Sequence, residues 1–220
     1  MAPWLRPLAA WLGLPWRERW RWLKRKLRET LPGVERIRSA DRAVLEAELL
    51  GYAADPALRA LLFVGCEWYT RHYEGLFDPE RSRFRTIDID PRRARHGASH
   101  HVVAPLQEVA AHLAPASLDV LVCNGVYGFG IYDRDELARA FAASRVVLRP
   151  GGALLLGWND VPALAPFDPL EVALAAGFAR DPARGAGWRV RTDTPTRHTF
   201  DFYVRADPPL CENRRADGAG

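Results

Sequence analysis

Leu61-Leu62-Phe63-Val64-Gly65-Cys66-Glu67-Trp68-Tyr69 decides the reading of this 220-residue chain. An apolar run broken by a glycine reads as a buried strand that ends in a nucleotide-binding turn. About twenty residues further on, Phe84-Arg85-Thr86-Ile87 reads as a second strand, and it ends in Asp88-Ile89-Asp90-Pro91. There an acid can accept both hydroxyls of a ribose bound across the adjoining strand tips. Strand, glycine turn, helix, strand and acid make a nucleoside-binding half.

Outward from that half the pattern continues. Ser39 caps a helical run carrying Val44, Leu45, Leu49 and Leu50, and Asp55-Pro56 turns into the first strand. Residues 71–77 read as the helix after the glycine turn, stopped near Asp78-Pro79. Residues 100–103 give a third strand, 106–113 a helix, 118–123 a fourth strand and 135–148 an amphipathic helix. Arg149-Pro150-Gly151-Gly152 turns tightly into a fifth strand over 153–158, apolar enough to be buried on both faces. A helix over 170–176 stops at Gly177, and 188–192 with 199–204 form a closing antiparallel pair. The expected fold is α/β, a doubly wound Rossmann-like seven-stranded sheet with an antiparallel last strand. Its ligand belongs outside the carboxyl ends of the strands, at residues 65–69, 88–90, 123–130 and 158–160.

At 48% hydrophobic and 26% charged, the chain suits one soluble core. Cys66, Cys123 and Cys211 lack metal-type spacing and leave one unpaired in any disulfide scheme, so three free thiols and a cytoplasmic location are expected. No apolar run approaches the roughly 20 residues of a membrane helix. The net charge of +4 divides unevenly: residues 1–38 hold ten Lys/Arg against three Glu, and the other 182 hold 21 basic and 24 acidic side chains. The body is therefore slightly acidic, and no nucleic-acid partner is expected for it.

Residues 1–38 form a basic arm carrying five of the eight tryptophans. Trp16, Trp20, Leu23 and Leu27 recur at helical spacing with Arg and Lys mostly off the stripe, which predicts an amphipathic helix over 16–29. Three readings stay open: the stripe packs on the body, it is a lid lending aromatic faces to a cationic ligand, or, least favoured, it attaches to a membrane surface or nucleic acid. Residues 39–207 are the ligand-binding domain, and the charged, small-residue tail over 208–220 is expected to be disordered.

The order of these elements resembles the class I S-adenosylmethionine-dependent methyltransferases over residues 58–206. Val64-Gly65-Cys66 is similar to that family's first motif and Ile87-Asp88-Ile89-Asp90-Pro91 to its ribose-binding acid. Residues 118–126 resemble its fourth-strand motif, and Leu148-Arg149-Pro150-Gly151-Gly152 the turn before its fifth strand. The resemblance implies S-adenosylmethionine as cofactor, with Gly65, Cys66, Glu67, Trp68, Asp88, Ile89, Asn124 and Gly125 around it and Asn124 near the sulfonium and acceptor. Two departures stand out. Phe63 occupies the place of the family's usual first-strand acid, and Glu67-Trp68-Tyr69 put side chains where the family has glycines.

Asn124, Tyr127 and Tyr69 are the candidate catalytic residues, and His72, Tyr132, Asp133, Asp160 and His198 are further general-base candidates near strand ends. His72 reads more readily as a surface helix residue, and Asp133 and Asp135 as a helix cap and first-turn acid. Residues 127–132 form a candidate acceptor wall, or an aromatic loop packed on the core. The leading function is methyl transfer to a small molecule. One alternative is a cyclase that consumes S-adenosylmethionine itself, giving azetidine-2-carboxylate and methylthioadenosine. Another is a degenerate cofactor-binding module acting through its arm.

Overall fold

The computed structural model describes residues 38–206, so the arm, save Arg38, and the tail lie outside the described residues. In chain order the elements are α1 (Ala40–Ala54), β1 (Ala60–Val64), β2 (Arg83–Asp88), β3 (His101–Val103), α2 (Val109–His112), β4 (Leu118–Asn124) and α3 (Arg134–Val147). They continue with β5 (Leu148–Asn159), α4 (Leu170–Ala175), β6 (Phe178–Arg180), β7 (Arg189–Arg191) and β8 (His198–Arg205). The sheet runs β3-β2-β1-β4-β5-β8-β6, with β7 also paired to β8. The first five strands are parallel, and β8 runs antiparallel to β5 as the sequence predicts.

The apolar run at β1 is continuous because both faces of the strand are covered. Leu62 and Val64 pack with Leu121, Cys123, Leu154, Leu156 and the α3 residues Leu137 and Phe141. Leu61 and Phe63 turn to the other face, among Leu45 and Leu49 of α1, Tyr73, Val120, Val122 and Phe200. Side chains alternate across a strand, so one run of apolar residues feeds two cores, one under each helical layer.

The sheet has eight strands rather than the expected seven. The addition is β6, which lies beside Arg205, Val204 and Tyr203, while β7 lies beside Asp201, Phe200 and Thr199 on the same edge of β8. A 3-10 segment, Pro182–Trp188, kinked at Gly185 with φ 51°, divides what would otherwise be one edge strand. The β7–β8–β5 seam carries a buried charge. Asp201 is fully buried and accepts from Arg189 Nε at 2.6 Å, Tyr203 Oη at 2.9 Å and Trp158 Nε1 at 3.1 Å.

Two local expectations are corrected. The helix expected over 71–77 is instead a pair of 3-10 turns, Trp68–Thr70 and Glu74–Leu76. Thr70 Oγ1 accepts from Glu67 N and donates to Glu67 O, closing the first turn locally, and Tyr73 and Phe77 reach Phe63 and Phe84 without a regular helix. The turn expected over 149–152 lies within β5 as a bulge, since Leu118 pairs with Leu148 but Val120 pairs with Ala153. Ser39 holds the N-cap position of α1, yet its side chain makes no capping hydrogen bond.

Candidate functional site

The order β2-β1-β4-β5 places the topological switch between β1 and β4, and open α/β sheets hold ligands at such points, outside the carboxyl ends of the strands. Gly65 follows β1 with φ +87°, and a Cβ there would stand 3.3 Å from Val126 Cγ2 and 3.4 Å from Asn124 O. The turn after β1 thus presses against the turn after β4, in a left-handed conformation that suits glycine. Gly125, on the facing turn, also has a positive φ of 71°.

Asp88 ends β2 and fastens this turn from the other side. Its Oδ2 accepts from Cys66 N at 2.7 Å and its Oδ1 from Asp90 N at 2.8 Å. Each oxygen has spent one lone pair on backbone, which leaves acceptor capacity for two hydroxyl donors. Beyond it, Ile89 is 67% exposed and Val103 47% exposed, an apolar surface at the tips of β2 and β3. Burial, reinforced by the Asp88 charge, pushes the Cys66 thiol up to about 12. Cys66 and Cys123 are free thiols, and Cys211 lies outside the described residues. Glu67 pairs with Arg93, Trp68 meets Tyr69 edge-on at 5.4 Å, and the Arg42 guanidinium sits 4.4 Å over the Tyr69 ring.

On the β4 side of the switch, Asn124 is buried, and its Oδ1 lies 3.0 Å from His198 Nε2. His198 Nδ1 in turn lies 2.8 Å from Asn159 Oδ1, which accepts from Thr196 Oγ1 at 2.9 Å. Asn124, Asn159 and His198 are thereby joined at the carboxyl ends of β4 and β5 and the start of β8, on the α1 side of the sheet. Burial pushes the imidazole down to about 4, with Asp41 opposing and Arg42 assisting, so it is neutral near pH 7. A neutral ring has one N–H, so one of the two amides presents its oxygen to the ring and the other its NH2. Gly157 makes the network possible, because a Cβ there would stand 2.0 Å from Asn124 Oδ1.

The remaining candidates are placed as follows. Tyr127 is fully buried between Trp158 and Phe167, donates its hydroxyl to Phe167 O at 2.6 Å, and is pushed by burial up to about 12. Its phenol faces the core, as does Ile131, whereas Phe129 in the same loop is 42% exposed. Tyr132 donates to Phe129 O. His72 Nε2 lies 3.3 Å from Glu46, and Asp133 caps α3 by accepting from Glu136 N at 2.7 Å. Asp160 pairs with Arg191 and, at 3.6 Å, with Arg197 on the rim. Of these residues, Gly65, Asp88 and Asn124 lie at the carboxyl ends of β1, β2 and β4 beside the switch, and His198 is joined to them through Asn124. Asn159, Gly157 and Arg42 join them without any individual sequence signal.

Among solved structures, the fold is similar to that of the N-methyltransferase NodS from Bradyrhizobium japonicum WM9, with a TM-score of 0.57 at 16% identity over 76% of this chain and 97% of that one. The complex of that enzyme with S-adenosyl-L-homocysteine matches at 0.56 and 17% identity, over 75% of this chain and 87% of that one. A TehB-like SAM-dependent methyltransferase from Corynebacterium glutamicum ATCC 13032 Kitasato matches at 0.56 and 18% identity, over 73% and 86%. The fold is that of the SAM-dependent methyltransferases. No protein-family model matches the sequence, and neither does any curated protein compared with it. Likeness at such identity concerns the fold, and function must be argued from the crevice. Among the described residues no helix is long and apolar enough to cross a membrane.

Proposed function

We propose that the chain is an S-adenosylmethionine-dependent methyltransferase acting on a small molecule. The observation that carries this reading is the Asp88 carboxylate, which ends β2, holds the Cys66 amide of the Gly65 turn at 2.7 Å and keeps acceptor capacity beside the β1/β4 switch. The donor set fits the cofactor. Asp88 would take the ribose hydroxyls, the Gly65-Cys66 backbone would approach the ligand closely, and Ile89 with Val103 offers apolar surface to the adenine.

When bound, the cofactor would supply an electrophilic methyl carbon on a sulfonium, open to in-line attack by an acceptor lone pair as the carbon–sulfur bond breaks and S-adenosylhomocysteine leaves. The protein's part is alignment and exclusion of water. Asn124 would present to the acceptor side whichever amide group His198 does not engage, and the tautomer of the neutral imidazole sets that choice. Both His198 ring nitrogens are engaged, so it acts in this reading by orienting Asn124 rather than by taking a proton.

The test is calorimetry with S-adenosylhomocysteine, followed by mass spectrometry of the full chain incubated with S-adenosylmethionine alone. Stoichiometric binding with intact S-adenosylmethionine is expected, and an acceptor screen follows. Absence of binding overturns the proposal. Methylthioadenosine with a new four-carbon amino acid would replace methyl transfer by cyclisation.

A further inference from the structure

Among the described residues, Arg42 is a largely buried cation without a close ionic partner. It lies in the first turns of α1, its side chain keeps 14% of its surface exposed, and its ionic partner among the described residues is the neighbouring Asp41, at 3.8 Å. Its Nη1 is buried and, among the described residues, has no hydrogen-bond partner of good geometry, and neither has the buried hydroxyl of Tyr73; the two groups lie close enough for the Arg42 charge and a weak polar contact to favour the phenolate against the burial that opposes it. The guanidinium stacks over Tyr69 at 4.4 Å, and its charge also bears on His198. Arg42 therefore stands between the turn after β1 and the start of β8, which together flank Asn124.

A buried guanidinium N–H without an acceptor is costly, and a planar fork of donors suits a carboxylate or phosphate. We infer that Arg42 anchors an oxyanion of the bound ligand at this corner of the crevice, between Tyr69 and His198. The inference rests on the proposed nucleoside crevice. Two sources share the chemistry, the amino-acid carboxylate of the cofactor and a carboxylate or phosphate of the methyl acceptor.

Full-length wild-type protein, Arg42→Met and Arg42→Lys are titrated with S-adenosylhomocysteine and with methylthioadenosine, which has the same nucleoside but no carboxylate. If the cofactor supplies the anion, Arg42→Met loses roughly ten- to a hundredfold in affinity for S-adenosylhomocysteine and nothing for methylthioadenosine, and lysine restores part of it. If the acceptor supplies it, both nucleosides bind unchanged. Inorganic phosphate titrated into the S-adenosylhomocysteine-saturated protein then binds wild type and not Arg42→Met. Equal affinities of wild type and Arg42→Met for all three probes overturn the inference, as does a lowered melting point with unchanged binding, which makes Arg42 a structural residue. Should Arg42→Met fail to fold, Arg42→Lys, which keeps the charge and loses the fork, carries the same comparison. Wild-type protein that binds neither nucleoside refutes the cofactor reading instead, and the phosphate titration without nucleoside then decides the anchor.

Discussion

Replacing Gly157 by alanine tests whether Asn124 and His198 act as one unit. The new methyl group would stand 2.0 Å from Asn124 Oδ1, 2.9 Å from Asn124 Cγ and 3.0 Å from His198 Nε2, so the amide must leave the imidazole. Stranding a buried imidazole nitrogen costs about 1–3 kcal/mol. Crowding in a packed interior adds about 1–3 kcal/mol. Lower backbone entropy of alanine in a strand returns about 0.5–1 kcal/mol. The expected net loss is about 2–4 kcal/mol, measured by urea unfolding. The decisive comparison is the double-mutant cycle with Asn124→Ala. Without the amide, the methyl group at 157 loses its principal obstacle, and the second substitution should cost about 0.5 kcal/mol or less. A Gly157→Ala penalty of equal size in both backgrounds would refute the coupling, and with it the view that Gly157 is kept small for Asn124.

Asp88→Ala should weaken S-adenosylhomocysteine binding by about 1.5–3 kcal/mol, read by calorimetry, and unchanged affinity would remove Asp88 from the ligand site. The depressed pKa of His198, about 4, means that the unfolded chain takes up the proton more readily. Stability is therefore fully present above about pH 6.5 and declines as pH falls toward 4, by about 2 kcal/mol between pH 7 and pH 5. His198→Gln should flatten that part of the pH dependence, and an identical slope in the variant would contradict the assignment. Asp201→Ala strands part of the Arg189 charge and the Trp158 and Tyr203 donors in the β8 seam. A loss of about 3–5 kcal/mol is expected in urea unfolding, and a loss below about 1 kcal/mol would show that the seam does not depend on this carboxylate.

The strands that build the crevice were legible because their signal is local. β1, and β4 from Val120 to Cys123, are continuous apolar runs covered on both faces, and β2 announces its end with Asp88. The missed strand, Phe178–Arg180, has three residues, too few to display a period of two. The misread helix after the glycine turn had Tyr73 and Phe77 four residues apart, a spacing that two 3-10 turns also serve when both rings reach the same core. Sequence spacing states which side chains share a face, and the hydrogen bonding that delivers them there is decided by Thr70 and its neighbours.

The same distinction separates the two halves of the crevice. The β1–β2 side is closed by Cys66 N and Asp88, 22 residues apart within one strand-turn-strand unit, so a single stretch of sequence contains both ends of the bond. The β4–β5–β8 side is closed by Asn124 and His198, 74 residues apart, and by Asn159 and His198, 39 apart, and the charge of Arg42 reaches it from α1. Those residues meet because β8 returns antiparallel to β5 and sets His198 opposite Asn159, with Gly157 opposite Phe200. Strand pairing of that kind creates a polar cluster with no local pattern: Asn124 and His198 read individually as candidates at strand ends, but nothing in the sequence joins them to each other or to Asn159. The sequence therefore marks the β1–β2 half as one unit, whereas the polar cluster of Asn124, Asn159 and His198 is assembled only by the strand pairing.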